Sequence, residues 1–135
     1  METTLLRANR DAIAPDGSDV RILLHVSRGG MAHFEIGPGE TSVAVEHRTL
    51  EEIWFFLRGR GQMWRKSRDS EDVVDVAADV CISIPAGTSF QFRSFGFEPL
   101  SAIGATMPPW PGQGTGEVTV VSGPWAPTLE MGPLP

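Results

Sequence analysis

The chain has little cysteine, no long apolar run and no opening signal segment. Its single cysteine, Cys81, cannot form an internal disulfide. The longest apolar run, IWFFL at 53–57, is far shorter than the roughly 20 residues that a helix needs to cross a bilayer. The N-terminus lacks the charged, apolar and small-residue regions of a secretory signal. We therefore expect a cytoplasmic protein that does not insert into a membrane.

Basic residues are also scarce relative to acidic ones. The chain has 11 Lys and Arg against 17 Asp and Glu, which gives a formal net charge of −6. A nucleic-acid-binding surface would need a basic stripe, so nucleic acid is not an expected partner. A length of 135 residues with 41% hydrophobic content is typical of one globular domain with its own core.

No segment repeats its apolar residues at the 3.6-residue period of a helix, and short runs of residues that favour β-strands are found instead. Roughly six to nine strands separated by Gly and Pro indicate an all-β sandwich or barrel. In MAHFEI at 31–36, alternation places Ala32, Phe34 and Ile36 on one face and His33 on the other. Cys81 lies in the apolar run VCISIP, which predicts a buried thiol.

Both ends of the chain differ in composition from the strand-rich middle. Residues 1–19 form a predicted N-terminal arm, and residues 108–135 are rich in Pro, Gly and Trp. A free tail would have little reason to carry Trp110 and Trp125, because burial of such side chains is favourable. We expect 108–135 to be a strap that packs on the barrel or on a partner subunit, with MPPWPG as a possible lid over the barrel mouth.

Two spaced motifs lie in the strand-rich part. The first contains Gly39, Val45, His47, Glu52 and Gly59, within a segment that reads HRTLEEIWFFLRG from His47. Because His47 follows Val45 by two residues, both side chains face the same side of one strand. Glu52 begins the next strand and can point into the same interior.

The second motif is a β-run closed by a tight turn. Asp79 precedes it, Pro85 and Gly87 form the turn, and Phe90 and Ser94 follow in the next strand. In order and spacing, the two motifs together resemble the two signature motifs of the cupin superfamily. The resemblance implies an all-β double-stranded β-helix (jelly-roll, cupin) barrel over 20–107. It also implies a homodimer, as is common among small stand-alone bacterial cupins.

Metal-bearing cupins use four side chains, which correspond here to Val45, His47, Glu52 and Phe90. Val45 and Phe90 carry no donor atoms, whereas catalytic zinc and iron sites normally use three protein ligands. We therefore predict no metal cofactor. The alternative is a transition metal such as Fe, Mn or Zn held by His47 and Glu52, with His25 or His33 filling a gap.

The predicted interior is a largely apolar pocket with one imidazole and one carboxyl group. The side chains that share the inward parity of His47 and Glu52 are Val45, Trp54, Phe56, Phe90 and Phe92, and these are the candidate ligand-binding residues. Desolvation should raise the pKa of Glu52 there. The leading hypothesis is a metal-independent protein that binds a small molecule through His47 and Glu52.

Two enzymatic alternatives stay open. His47 and Glu52 are the candidate catalytic residues of an isomerase, dehydratase or cyclase that works by acid–base chemistry. A metal-dependent oxygenase or isomerase with an unusual ligand set is the other alternative. A purely structural role is equally compatible with the pattern, in which the two side chains only hydrogen-bond each other and nearby backbone.

Overall fold

The computed structural model describes residues 1–112 and 114–134, which form eleven β-strands and no helix. The strands are β1 (Ala12–Ile13), β2 (Asp19–His25), β3 (Gly30–Ile36), β4 (Val45–His47), β5 (Glu51–Arg58), β6 (Arg60–Lys66), β7 (Glu71–Ala77), β8 (Cys81–Ile84), β9 (Ser89–Phe95), β10 (Leu100–Met107) and β11 (Val118–Val120). The all-β prediction is confirmed. In the described part of the chain, no helix has the length and apolarity required to cross a membrane.

The strands form two antiparallel sheets that enclose the core. One sheet has the order β1-β2-β3-β10-β5-β8, and the other has the order β11-β4-β9-β6-β7. β1 and β11 extend the two sheets beyond residues 20–107 at both ends. Consecutive strands are mostly not neighbours in the same sheet, so the chain crosses repeatedly from one sheet to the other.

Side-chain alternation decides what enters the core. In β3, Ala32, Phe34 and Ile36 are buried as predicted, and Phe34 stacks on Trp54 of β5 with ring centroids 4.8 Å apart. His33 faces the opposite side, as predicted, but it is buried there because Arg21 covers it at 3.5 Å.

The prediction of a buried Cys81 is wrong, because its thiol is exposed. Ile82 and Ile84 take the inward positions of β8, and alternation turns Cys81 outward beside Phe55. An apolar run by itself does not reveal which of its residues face the core.

The two turns of the motifs hold the site strands in place. Gly59 joins β5 to β6 with φ of +80°, and a Cβ there would collide with the carbonyl oxygen of Pro99. The N–H of Gly87 donates to the carbonyl oxygen of His47 at 2.8 Å, which ties the second motif to the first. Asp79, at a position where cupins have Gly, has φ of 75°.

The described C-terminal residues lie on the chain's own barrel. β11 pairs with β4, and the side-chain amide of Gln91 donates to the carbonyl oxygen of Trp125 at 2.8 Å. The Arg93 guanidinium lies 4.2 Å from the centre of the Trp125 ring. These contacts cover the outer side of β9.

Candidate functional site

All seven residues assigned to the interior from the sequence are buried: Val45, His47, Glu52, Trp54, Phe56, Phe90 and Phe92. Five of them line one cavity between the sheets, together with Phe34, the segment 14–16 and Trp110. Phe56 and Phe92 do not line this cavity. Their rings instead contact Trp54 within the core, with centroids 6.1 and 5.2 Å from it.

Strand register explains why these side chains meet. Val45 of β4 pairs with Phe90 of β9, which places both on the inner face of the five-stranded sheet. The His47 ring lies nearly parallel to the Phe90 ring, with centroids 6.1 Å apart. Glu52 and Trp54 face them from β5 of the opposite sheet.

The cavity itself is very small. Its volume is about 10 Å³, which is close to the minimum that one water molecule needs. Aromatic side chains fill the space that the sequence predicted as an open pocket. Trp110 is one of them and is half-buried. Its ring meets the Phe34 ring edge-on, with centroids 6.4 Å apart, and its backbone N–H donates to Thr106 Oγ1 at 2.9 Å.

His47 and Glu52 have pKa values shifted in opposite directions. Their nearest atoms, Nε2 of His47 and Oε2 of Glu52, are 4.0 Å apart. Burial lowers the pKa of His47 to about 4, despite the opposing effect of the Glu117 carboxylate. Burial also raises the pKa of Glu52 to about 8, opposed by the nearby indole N–H of Trp54, which does not form a hydrogen bond to the carboxyl group, and helped by Asp16. At neutral pH the site therefore holds a neutral imidazole and a carboxyl group that is mostly protonated.

Two buried carboxyl groups near the site were missed from the sequence. Asp16 lines the cavity, and burial raises its pKa even though Ser18 donates two hydrogen bonds to it, at 2.9 and 2.6 Å. Glu117 lies 3.8 Å from His47, on the ring nitrogen that faces away from Glu52. Asp16 looked like an ordinary turn residue, and nothing in the local pattern connects Glu117 with His47.

Three buried polar atoms in the described residues have no hydrogen-bond partner. They are Nδ1 of His47, Oε2 of Glu52 and Nε1 of Trp54, and all three residues line the cavity. Buried polar groups are nearly always paired, and an unpaired one costs about 1–3 kcal/mol. Such a cluster is more typical of a functional site than of a structural core.

Comparison with known proteins identifies the family. No protein-family model matches the chain. The uncharacterized protein MJ1618 of Methanocaldococcus jannaschii is 30% identical in an alignment of length 115 that covers 78% of this chain and 89% of that protein. The crystal structure of BH2720 from Bacillus halodurans is 26% identical and covers 78% of both chains, with a TM-score of 0.62.

The solved structures also establish the architecture. A double-stranded β-helix protein from Klebsiella pneumoniae covers 87% of this chain and 91% of its own, with a TM-score of 0.64 at 13% identity. A predicted oxalate decarboxylase from Thermotoga maritima covers 77% and 98%, with a TM-score of 0.61 at 16% identity. The chain belongs to the same family as MJ1618. The predicted double-stranded β-helix fold is confirmed by the solved structures.

The residues at the motif positions do not fit the metal that many cupins carry. His47 and Glu52 supply the only donor atoms at the four family positions, since Val45 and Phe90 have none. His33 lies on the outer face of its sheet beside Arg21, and His25 is exposed. Across residues 1–112 and 114–134, no group of three or more His, Cys, Asp or Glu could hold a metal ion.

Proposed function

We propose that this cupin binds a small, largely apolar organic molecule inside its barrel without a metal, with His47 and Glu52 as polar anchors. The observation that carries the proposal is the presence of two unpaired polar atoms, Oε2 of Glu52 and Nε1 of Trp54, on residues that line one cavity opposite Nε2 of His47. A ligand that pairs with these atoms would relieve their cost, while the aromatic walls would favour an apolar body.

Binding requires the cavity to open, because about 10 Å³ admits no organic ligand. Trp110 is the side chain best placed to move. It is half-buried and lies on a loop outside the sheets, whereas Trp54 and Phe90 are fully buried on strands. Outward rotation of Trp110 would add the volume of an indole to the cavity, next to Phe34.

Fragment screening by NMR tests this proposal. Small aromatic and aliphatic fragments, including phenol, are titrated into the wild-type protein and the Trp110→Ala variant. The chemical shifts of the backbone amides of His47, Glu52 and Phe90 are followed. We expect Trp110→Ala to bind fragments that wild type binds more weakly. The matched control is Trp125→Ala, which removes an indole that contacts Arg93 and not the cavity. If no fragment shifts the cavity amides even in Trp110→Ala, the binding proposal is wrong.

Acid–base catalysis on the bound molecule is the second candidate function. It is favoured by the raised pKa of Glu52, which leaves this carboxyl group able to donate a proton near neutral pH beside an unprotonated His47. Glu52→Gln should leave fragment binding nearly intact while abolishing any turnover. Turnover that survives this change would rule out the catalytic role.

We also propose that the protein forms a homodimer through the outer face of the six-stranded sheet. Neighbouring strands β3, β10 and β5 present an apolar patch there. Its most exposed members, each 39–48% exposed, are Met31, Ile53, Phe55, Leu57 and Met107. Contiguous apolar surface of this kind is typical of protein interfaces. Sedimentation equilibrium should show a dimer that Phe55→Glu dissociates, whereas Val73→Glu, at an exposed position of the other sheet, should leave it intact.

A further inference from the structure

Glu117 is a buried carboxylate held in a fixed position. Its side chain has no exposed surface, and it accepts hydrogen bonds from the N–H of Thr49 at 3.0 Å, Thr49 Oγ1 at 2.7 Å and the N–H of Leu50 at 2.6 Å. Burial raises its pKa, but these three hydrogen bonds outweigh that effect and the pKa is lowered. Glu117 is therefore anionic at neutral pH.

The imidazole of His47 lies between two carboxyl groups, one at each ring nitrogen. Oε1 of Glu117 is 3.8 Å from Nδ1, and Oε2 of Glu52 is 4.0 Å from Nε2. Nδ1 has no hydrogen-bond partner. Arg48, the nearest cation to Glu117, is 3.9 Å from its other oxygen and 60% exposed, so it compensates the buried charge only weakly.

A neutral imidazole carries one proton, and its surroundings decide which nitrogen holds it. With the proton on Nδ1, an N–H dipole points at the Glu117 carboxylate, which is attractive. With the proton on Nε2, the Nδ1 lone pair faces the same negative charge, which is repulsive. The buried setting strengthens both effects, because the local dielectric is low.

We propose that Glu117 is a positioning residue that holds His47 as the Nδ1–H tautomer, so that the unprotonated Nε2 faces Glu52 and the cavity. This inference rests on the binding function proposed above and narrows its ligand class. The histidine then offers the ligand an acceptor, and Trp54 offers a donor from its unpaired indole N–H. A hydroxyl group satisfies both, whereas an ether or ketone oxygen can use only the donor. The ligand class is therefore an apolar molecule with a hydroxyl group.

The tautomer is measurable without any ligand. Long-range ¹H–¹⁵N correlation spectra of the ¹⁵N-histidine-labelled protein at pH 7 distinguish a protonated ring nitrogen from an unprotonated one. We expect wild type to show His47 protonated at Nδ1 only. Glu117→Gln removes the negative charge but keeps a similar shape, so it should give a mixture of tautomers or the Nε2–H form.

The matched control is Glu46→Gln. Glu46 precedes His47 in β4 but its carboxylate accepts a hydrogen bond from Ser89, so its loss should leave the tautomer unchanged. An Nε2–H tautomer in wild type, or an unchanged tautomer in folded Glu117→Gln, overturns the proposal. If Glu117→Gln does not fold, the wild-type spectrum together with Glu117→Asp, whose shorter side chain withdraws the carboxylate from Nδ1, decides the question.

Ligand selectivity is tested separately. In Trp110→Ala, phenol should shift the cavity amides at lower concentration than anisole, which has an ether in place of the hydroxyl. Equal binding of both contradicts the ligand class while leaving the binding function intact. Binding of neither contradicts the binding function, and the tautomer result stands independently of both.

Discussion

Replacing Glu52 by Gln should change how the stability of this protein depends on pH. Burial raises the pKa of Glu52 from its ordinary 4.5 to about 8, so the folded protein holds a proton that the unfolded chain releases. The stability associated with this group is therefore greatest below pH 4.5 and is lost as pH rises toward 8. His47 acts in the opposite direction, because its pKa falls from 6.5 to about 4 and stability is gained between these values.

The two effects separate above pH 6.5. Between pH 4.5 and 6.5 they oppose each other, but above pH 6.5 His47 is neutral in both the folded and unfolded states. Each pH unit then changes the free energy of unfolding by about 1.4 kcal/mol through Glu52. From pH 6.5 to 8 the loss is about 2 kcal/mol, a sizeable part of the 5–15 kcal/mol typical of a domain. Burial also raises the pKa of Asp16, which lies near Glu52, so any pH dependence that Asp16 contributes has the same sign.

Urea denaturation at several values between pH 6.5 and 8 measures this loss. We expect the free energy of unfolding of wild type to fall by about 2 kcal/mol and that of Glu52→Gln to fall much less, by no more than the contribution of Asp16. Asp16→Asn, measured alongside, separates the contribution of Asp16. The control is Glu98→Gln, because Glu98 is exposed and paired with Arg58, and it should keep the wild-type slope. A flat wild-type profile, or the same slope in Glu52→Gln, would refute the reasoning.

Two further predictions concern metal binding and packing. Protein purified without added metal or chelator should contain substoichiometric transition metal by elemental analysis, whereas Val45→His combined with Phe90→His should take up about one equivalent of zinc. One equivalent of transition metal in the wild-type protein would contradict the argument that His47 and Glu52 alone are too few ligands to hold a metal. Gly104→Ala should reduce the free energy of unfolding in urea by about 1–3 kcal/mol, because its Cβ would lie 2.7 Å from the Phe34 ring. The neighbouring outward change Ala105→Ser should have little effect.

The spacing of residues along single strands was sufficient to predict which side chains of the site face the interior of the barrel. Val45 and His47 share a face because side chains alternate along β4, and the Pro85–Gly87 turn sets the register that brings Phe90 opposite Val45. The same reasoning failed for Cys81, because a continuous run of apolar residues does not indicate which of its side chains face inward. Its outward position depends on the pairing of β8 with β5.

Local sequence patterns could not predict the contacts between segments that are far apart in the sequence. Glu117 hydrogen-bonds to Thr49 across 68 residues of sequence, and Trp110 reaches Phe34 from a loop outside the sheets. Glu117 belongs to no motif, and the MPPWPG segment predicted a lid over the barrel mouth without indicating that Trp110 contacts Phe34. Their part in the site exists only because the chain returns to the end of the barrel after β10.

The cupin barrel and the identity of its inward-facing residues follow from alternation, turn residues and motif spacing, all of which act over a few neighbouring positions. Tertiary packing alone decided that aromatic rings reduce the cavity to about 10 Å³. It also decided that burial lowers the pKa of His47 to about 4, whereas the raised pKa of Glu52 was expected from its place in an apolar interior. Cavity volume and desolvation depend on how side chains from both sheets and the C-terminal segment fill one shared space, and no single segment of sequence encodes that.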